Sequence, residues 1–225
     1  MPFILSVFVF AVFLVMHLVS CFLGLERARM VTKCMLMPFL IISLQAYGCD
    51  NILIYAALLF GLLGDLLIVV STSKLFFMMG MLSFGINHLL NLVTIVSMLP
   101  YHLNIWHYIA AGILAILYIG AFGYFLRSYM PKVSFINGGY SYIILLNIIT
   151  AVMLMISLYD KNNISVFLVS IVVLLGVIIF SISDTLIAIN MYVKTLKRSS
   201  FFTMSTYLLA QVLIAFGLAI ILKGI

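Results

Sequence analysis

The chain has 225 residues, of which 67% are hydrophobic and 7% are charged, and its formal net charge is +6. A soluble domain carries about a quarter of its residues as charged side chains, so this composition excludes a soluble fold and assigns most of the surface to lipid. A helix needs about 20 apolar residues to cross a hydrocarbon layer of about 30 Å, so a chain of this length accommodates about eight spans.

The hydrophobic runs predict a single all-α domain over residues 1–225, a polytopic transmembrane bundle of eight helices joined by short loops. The first run lacks a basic segment before it and a small-residue cleavage site after it, so we interpret it as a retained helix and not as a secretory signal. The predicted spans, in chain order, are residues 3–25, 30–48, 51–70, 75–99, 105–126, 140–159, 164–191 and 201–222.

Positive charge is concentrated at alternate loops. The first, third, fifth and seventh loops, with their flanking residues, carry Arg27, Arg29, Lys33, Lys74, Arg127, Lys132, Lys194, Lys197 and Arg198, whereas the opposite side has Lys161 and Lys223. Because cytoplasmic loops retain Lys and Arg during insertion, both termini are predicted on the non-cytoplasmic side. Topology and anionic headgroups account for the net charge, so no nucleic-acid partner is expected. The expected location is the bacterial plasma membrane, with an endomembrane as the alternative.

Two aspartates fall inside predicted spans, where an ionisable side chain costs about 2.5–3.5 kcal/mol to insert. Asp65 in span three and Asp184 in span seven each lie about two and a half turns before a predicted cytoplasmic loop. The two spans run in the same direction, so the carboxyls should lie at similar depth, and flanking small residues favour close helix packing. We therefore expect one shared cavity. The alternative is a purely structural role, in which each carboxyl caps a backbone or pairs with a lysine.

Other polar residues fall at depths that suit the same cavity. His88 follows Asn87 in the middle of span four; alone it would be a core histidine, but two nearby aspartates favour a role in the site. Lys33 opens span two, where it either extends to the headgroups or turns inward to a carboxylate or a substrate phosphate. Tyr207 and Gln211 are four residues apart and share one face of the last span. The remaining histidines, tyrosines and phenylalanines are assigned to span packing and to the membrane interface.

No cofactor is expected, and no metal site is assigned. Cys21, Cys34 and Cys49 have no paired spacing and are interpreted as small packing residues. A metal held by His88 and the two aspartates remains an alternative.

Several short motifs follow one another along nearly the whole chain. They are Thr32-Lys33-Cys34-Met35-Leu36-Met37-Pro38, Leu63-Gly64-Asp65, Phe77, Gly80, Phe84, His88, Phe180, Ser183, Asp184, Ala188, Tyr192 and Tyr207-Leu208-Leu209-Ala210-Gln211. Together they resemble the lysoplasmalogenase-like, YhhN-type integral membrane proteins. The sequence departs from the usual pattern of that family at Cys34, where proline is common, and at Asn91, where tyrosine is common.

The resemblance implies hydrolysis of the vinyl ether bond of a lysoplasmalogen, a lysophospholipid taken from the membrane, to a fatty aldehyde and glycerophosphocholine or glycerophosphoethanolamine. A vinyl ether is cleaved by protonating its β-carbon, which gives an oxocarbenium ion that water captures, so the enzyme needs an acid. A carboxyl in a low-dielectric cavity beside a second carboxyl can keep its proton near neutral pH, and the ionised partner offsets the developing positive charge.

Asp65 and Asp184 are therefore the predicted catalytic pair, and which of them is the acid stays open. We expect Lys33 to meet the substrate phosphate and the cavity to be lined by His88, Ser183, Tyr207 and Gln211.

A transporter is the competing class of protein. Intramembrane carboxylates and a histidine also suit a proton-coupled carrier of a small molecule or a lipid. A lipid-binding helper without chemistry is a third interpretation, and it predicts that Asn replaces either buried aspartate without functional loss.

Overall fold

The computed structural model describes residues 2–70, 73–129, 135–159, 164–193 and 196–224, and the regular elements in these ranges are eight α-helices. They are α1 (Phe3–Leu23), α2 (Glu26–Tyr47), α3 (Ile52–Val70), α4 (Lys74–Ser97), α5 (Ile105–Tyr129), α6 (Phe135–Tyr159), α7 (Ile164–Tyr192) and α8 (Ser199–Gly224). The predicted all-helical class is confirmed.

Six of the described helices are long and apolar enough to cross a membrane. They are α1, α2, α4, α6, α7 and α8, while the described apolar parts of the other two are shorter, Ile52–Ile68 in α3 and Ile105–Ala121 in α5. The chain is therefore a multi-pass helical membrane protein.

Local signals end the first helices. Gly24 and Gly48 follow α1 and α2 with φ of 71° and 83°, the left-handed conformation that terminates a helix and that glycine adopts without strain. At the start of α4 the Ser73 hydroxyl accepts a hydrogen bond from the Phe76 backbone N–H at 3.4 Å. The short loops thus follow from residues that favour helix ends.

The helices pack as a ring with one outlier. The pairs α1–α2, α3–α4 and α7–α8 are antiparallel hairpins, and contacts of α2 with α3, α4 with α6, α6 with α7 and α8 with α1 close the ring. Helix α8 also reaches α2 and α3, so it lies towards the interior, while α5 packs mainly against α6 outside the ring.

Glycines allow two of the hairpins to pack closely. A Cβ atom on Gly80 of α4 would lie 2.7 Å from Cγ1 of Ile68 in α3, and one on Gly217 of α8 would lie 2.5 Å from Cγ2 of Val173 in α7. Small residues are the usual means of bringing helix backbones together in lipid.

The first and seventh loops lie at the same end of the bundle. Arg29 donates to the Ser200 hydroxyl at 3.1 Å, and the Arg198 guanidinium lies 4.0 Å from the centre of the Phe22 ring. This agrees with the predicted grouping of basic loops on one side. Three of the basic residues that predict the topology, Lys132, Lys161 and Lys194, lie outside the described residues. The side chains of Lys74 and Arg127 are also outside them, as is that of Tyr192, one of the motif residues.

Candidate functional site

The first carboxyl of the interior site is neutralised by a lysine. Lys33 Nζ lies 2.8 Å from Oδ1 of Asp65, and the two side chains are 8% and 3% exposed. Lys33 comes two turns into α2 and Asp65 more than one turn before the end of α3, so the pair joins these helices near one end of the bundle. Of the two orientations that the sequence allowed for Lys33, the inward one is observed.

The second carboxyl is held from two other helices. Oδ2 of Asp184 in α7 lies 3.0 Å from Nε2 of His88 in α4, and it accepts a 2.8 Å hydrogen bond from the Tyr140 hydroxyl of α6. His88 is 3% exposed and the Asp184 side chain 10%. Three helices thus meet at one carboxyl oxygen, in a setting where hydrogen bonds are stronger than in water.

Packing fixes the orientation of the histidine. The Phe180 ring centre lies 4.2 Å from that of His88, and Asn147 donates to the His88 backbone carbonyl at 3.0 Å. Phe180 also contacts Tyr207 of α8 edge to face, with ring centres 5.5 Å apart. Phe180 therefore connects the group around Asp184 with the residues of α8.

Two buried donors on α8 face α3. Tyr207 and Gln211 are 3% and 1% exposed, and the Tyr207 hydroxyl lies next to Asp65 and Gln211. Within the described residues neither this hydroxyl nor the Gln211 amide nitrogen has a hydrogen bond of normal geometry. A Cβ atom on Gly61 would lie 2.8 Å from that hydroxyl, and 3.1 Å from both the Gln211 nitrogen and Nδ2 of Asn87. Gly61 therefore lets α3 approach these polar groups closely, and because buried donors normally have partners, they suit an acceptor atom of a ligand or a water molecule.

The predicted site residues fall into two groups, one around each carboxyl. Asp65 pairs with Lys33, Asp184 pairs with His88, and Tyr207 lies within electrostatic range of both carboxyls. A proton shared between the two carboxyls stays a prediction. The Ser183 hydroxyl donates to the Thr203 carbonyl at 3.2 Å, so it joins α7 to α8.

Sequence reasoning missed Tyr140. The assignment of the remaining tyrosines to packing and interface is wrong for this residue, whose hydroxyl contacts Asp184. A signal was present, since Gly138 and Gly139 precede Tyr140 much as Gly61 and Gly64 precede Asp65. Small residues next to a polar side chain in a span mark a site of close packing.

Potential metal ligands do not converge in the described part of the chain. No group of three or more His, Cys, Asp or Glu side chains is arranged there to hold an ion. Cys21, Cys34 and Cys49 are free thiols, and Cys21 and Cys49 are buried.

Comparison with known proteins gives one match. Neither the curated proteins nor the solved structures contain a match to this chain. The family model described as the YhhN family matches residues 28–218, a stretch that contains both carboxyls and all of their partners described above. The chain therefore belongs to the YhhN family.

Proposed function

We propose that this protein is a membrane hydrolase that cleaves the vinyl ether bond of lysoplasmalogens. Family membership suggests a lysoplasmalogenase-like activity. The observation that carries the proposal is a pair of carboxyls in the bundle interior, Asp65 and Asp184, each with its own polar support. Products are a fatty aldehyde and glycerophosphocholine or glycerophosphoethanolamine, and the residues act without a cofactor.

The different partners suggest different roles for the carboxyls. Lys33 neutralises an ionised Asp65, so Asp65 suits the role of the carboxylate that stabilises positive charge. His88 and Tyr140 both bond Oδ2 of Asp184 and hold that carboxyl in place, so Oδ1 is the oxygen that carries the proton when Asp184 acts as the acid. A positioned general acid typically contributes about 10²–10⁴-fold to the rate.

The reaction then proceeds in three balanced steps. Asp184 gives its proton to the β-carbon, the electrons of the double bond form the new C–H bond, and positive charge develops on the α-carbon and the ether oxygen. Water adds to the α-carbon and passes a proton to a carboxylate, which gives a hemiacetal. The hemiacetal collapses: its hydroxyl gives its proton to a carboxylate and forms the C=O double bond, the bond to the glycerol oxygen breaks, that oxygen takes a proton from a carboxyl, and the aldehyde leaves. The Asp65 carboxylate offsets the charge that develops in the first step.

The donors on α8 suit the attacking water. A water oxygen that accepts from the Tyr207 hydroxyl and the Gln211 amide keeps its own hydrogens for a carboxylate. Lys33 has three N–H donors, and the ion pair with Asp65 needs one of them, so a phosphate oxygen can take another.

Purified protein in detergent provides the test. Aldehyde release from a vinyl ether lysolipid, with no release of fatty acid from the matched ester lysolipid, is the expected result. The Asp184→Asn variant should lose at least 100-fold in rate, whereas Asp50→Asn, an exposed aspartate in the loop after α2, should keep full activity. Full activity of Asp184→Asn would remove the mechanism. No aldehyde release from wild-type protein without a sealed compartment would favour the proton-coupled transporter.

The proposal includes eight spans with both termini outside the cytoplasm. Single cysteines are introduced at Tyr101, which is 98% exposed between α4 and α5, and at Lys197 between α7 and α8, after Cys21, Cys34 and Cys49 are replaced. In cells that carry the protein in their plasma membrane, an impermeant thiol reagent should label position 101 from outside and position 197 only after permeabilisation. The reverse pattern would invert the topology.

A further inference from the structure

An apolar groove runs between α4 and α6. Its volume is about 460 Å³, and its walls include Leu75, Met78 and Leu82 on one side and Gly139 and Ile143 on the other. Leu75 and Leu82 are 63% and 67% exposed, so this part of the wall faces the surrounding lipid. The groove follows α4 for about three turns, roughly 15 Å.

The groove ends at the candidate site. Tyr140 forms part of its wall, and the hydroxyl of the same side chain donates to Asp184 at 2.8 Å. Gly85, another wall residue, lies one turn before His88, the second partner of that carboxyl. An apolar surface open to lipid therefore leads, through one tyrosine, to a buried acid.

We infer that this groove binds the single long alkenyl chain of the lysolipid, with the vinyl ether at Tyr140. The inference rests on the proposed function and deepens it. In this substrate the reacting bond joins the apolar chain to the polar glycerol, and Tyr140 is the residue where apolar wall meets polar site. With the chain in the groove, the bond to be protonated lies beside Asp184 and the headgroup extends towards Lys33.

The size and the chemistry of the groove agree with this occupant. A volume of about 460 Å³ lies in the range of about 300–1,000 Å³ that is typical of small-molecule sites. The chain enters from lipid and not from water, so van der Waals contact along the groove wall, and not the hydrophobic effect, should set the preference for chain length. It lies in the half of α4 next to the predicted cytoplasmic loops, which predicts entry from the inner leaflet.

The test is the chain-length profile of aldehyde release from lysoplasmalogens of 10 to 18 chain carbons. Gly139 lines the groove, and a Cβ atom on it meets no atom within 4 Å, so the backbone here accepts a side chain and Gly139→Leu is the variant chosen to narrow the groove. This variant should shift the preferred chain by about three methylenes and reduce kcat/KM for the longest chain by roughly 5- to 150-fold relative to the best shorter one, as expected for overpacking of an apolar site. Ile143→Ala should shift the preference the other way. Gly112→Leu on α5, also in open space, is the matched control and should keep the wild-type profile.

A second measurement separates this inference from the proposed reaction. Saturated 1-O-alkyl lysolipids lack the vinyl ether and are not hydrolysed, and their binding is followed as a rise in the melting midpoint. Wild-type protein could release no aldehyde while Gly139→Leu still changes the alkyl chain length that raises the melting midpoint most. In that case the proposed reaction fails and the groove assignment stands. The inference is overturned if wild type, Gly139→Leu and Ile143→Ala share the same chain-length profile both for aldehyde release and for alkyl lysolipid binding. The groove then holds bilayer lipid only.

Discussion

Replacing Lys33 with methionine removes the ammonium that lies 2.8 Å from Oδ1 of Asp65. At an effective dielectric constant of about 20, two unit charges at this distance attract by about 6 kcal/mol, and desolvation of both groups offsets part of that. Removing one partner of a buried pair leaves the other charge without compensation, which costs about 3–5 kcal/mol. We expect Lys33→Met to lower the free energy of unfolding by that amount.

The double variant makes this prediction specific. Lys33→Met combined with Asp65→Asn leaves no charge at this buried pair. Its loss in free energy of unfolding should therefore be smaller than the sum of the two single losses by about 2–3 kcal/mol. Wild type, both single variants and the double variant are melted in the same detergent, where the single variants should lose on the order of 10 °C. The reasoning is refuted if the two single losses simply add, or if Lys33→Met melts like the wild type. The readout is stability, so it does not depend on the proposed reaction.

Three further predictions concern single side chains. Tyr140→Phe loses only the hydroxyl that bonds the carboxylate, worth about 1.5–3 kcal/mol, so kcat/KM should fall roughly 10- to 150-fold, whereas Tyr142→Phe, an exposed neighbour, should match the wild type. Gly61→Ala puts a methyl group 2.8 Å from the buried hydroxyl of α8 and should reduce both activity and stability, the latter by about 1–3 kcal/mol; Gly112→Ala, in open space, should reduce neither. Gly217→Ala meets a side chain of α7 at 2.5 Å, so its melting midpoint should fall while the activity of the folded fraction is kept. Wild-type kinetics in the first two variants would count against the site, and an unchanged melting midpoint in the third against the close approach of α7 and α8.

The helices were predictable because lipid imposes both length and composition on a span. The predicted span 51–70 corresponds to Ile52–Val70, and 164–191 to Ile164–Tyr192. The largest difference is at α6, which begins at Phe135 and not at 140. Asn137, Gly138 and Gly139 disfavour a helix by propensity, but inside a membrane the backbone must satisfy its own hydrogen bonds, and that requirement is the stronger one.

The pairing within the site was not predictable to the same extent. Depth along the spans indicated that Asp65, Asp184 and His88 belong to one interior region, since each lies inside a predicted span and the two aspartates are at similar distances from a predicted cytoplasmic loop. It did not indicate which cation meets which carboxyl, because that depends on the rotation of each helix about its own axis, and apolar spans carry little periodic signal to fix it. Tyr140 was missed for the same reason, since Gly138 and Gly139 before it indicate close packing but do not show in which direction its side chain points.

The two carboxyl pairs differ in how far apart their members lie in the chain, and this bears on the order in which the site is assembled during synthesis. Lys33 and Asp65 belong to α2 and α3, so their ion pair is complete once the first three helices have entered the membrane. His88 is 96 residues from Asp184, so the contact between them forms only after α7 has been synthesised. The half of the site around Asp65 therefore forms early and the half around Asp184 late, so a chain truncated before α7 would lack the residue that we propose as the acid.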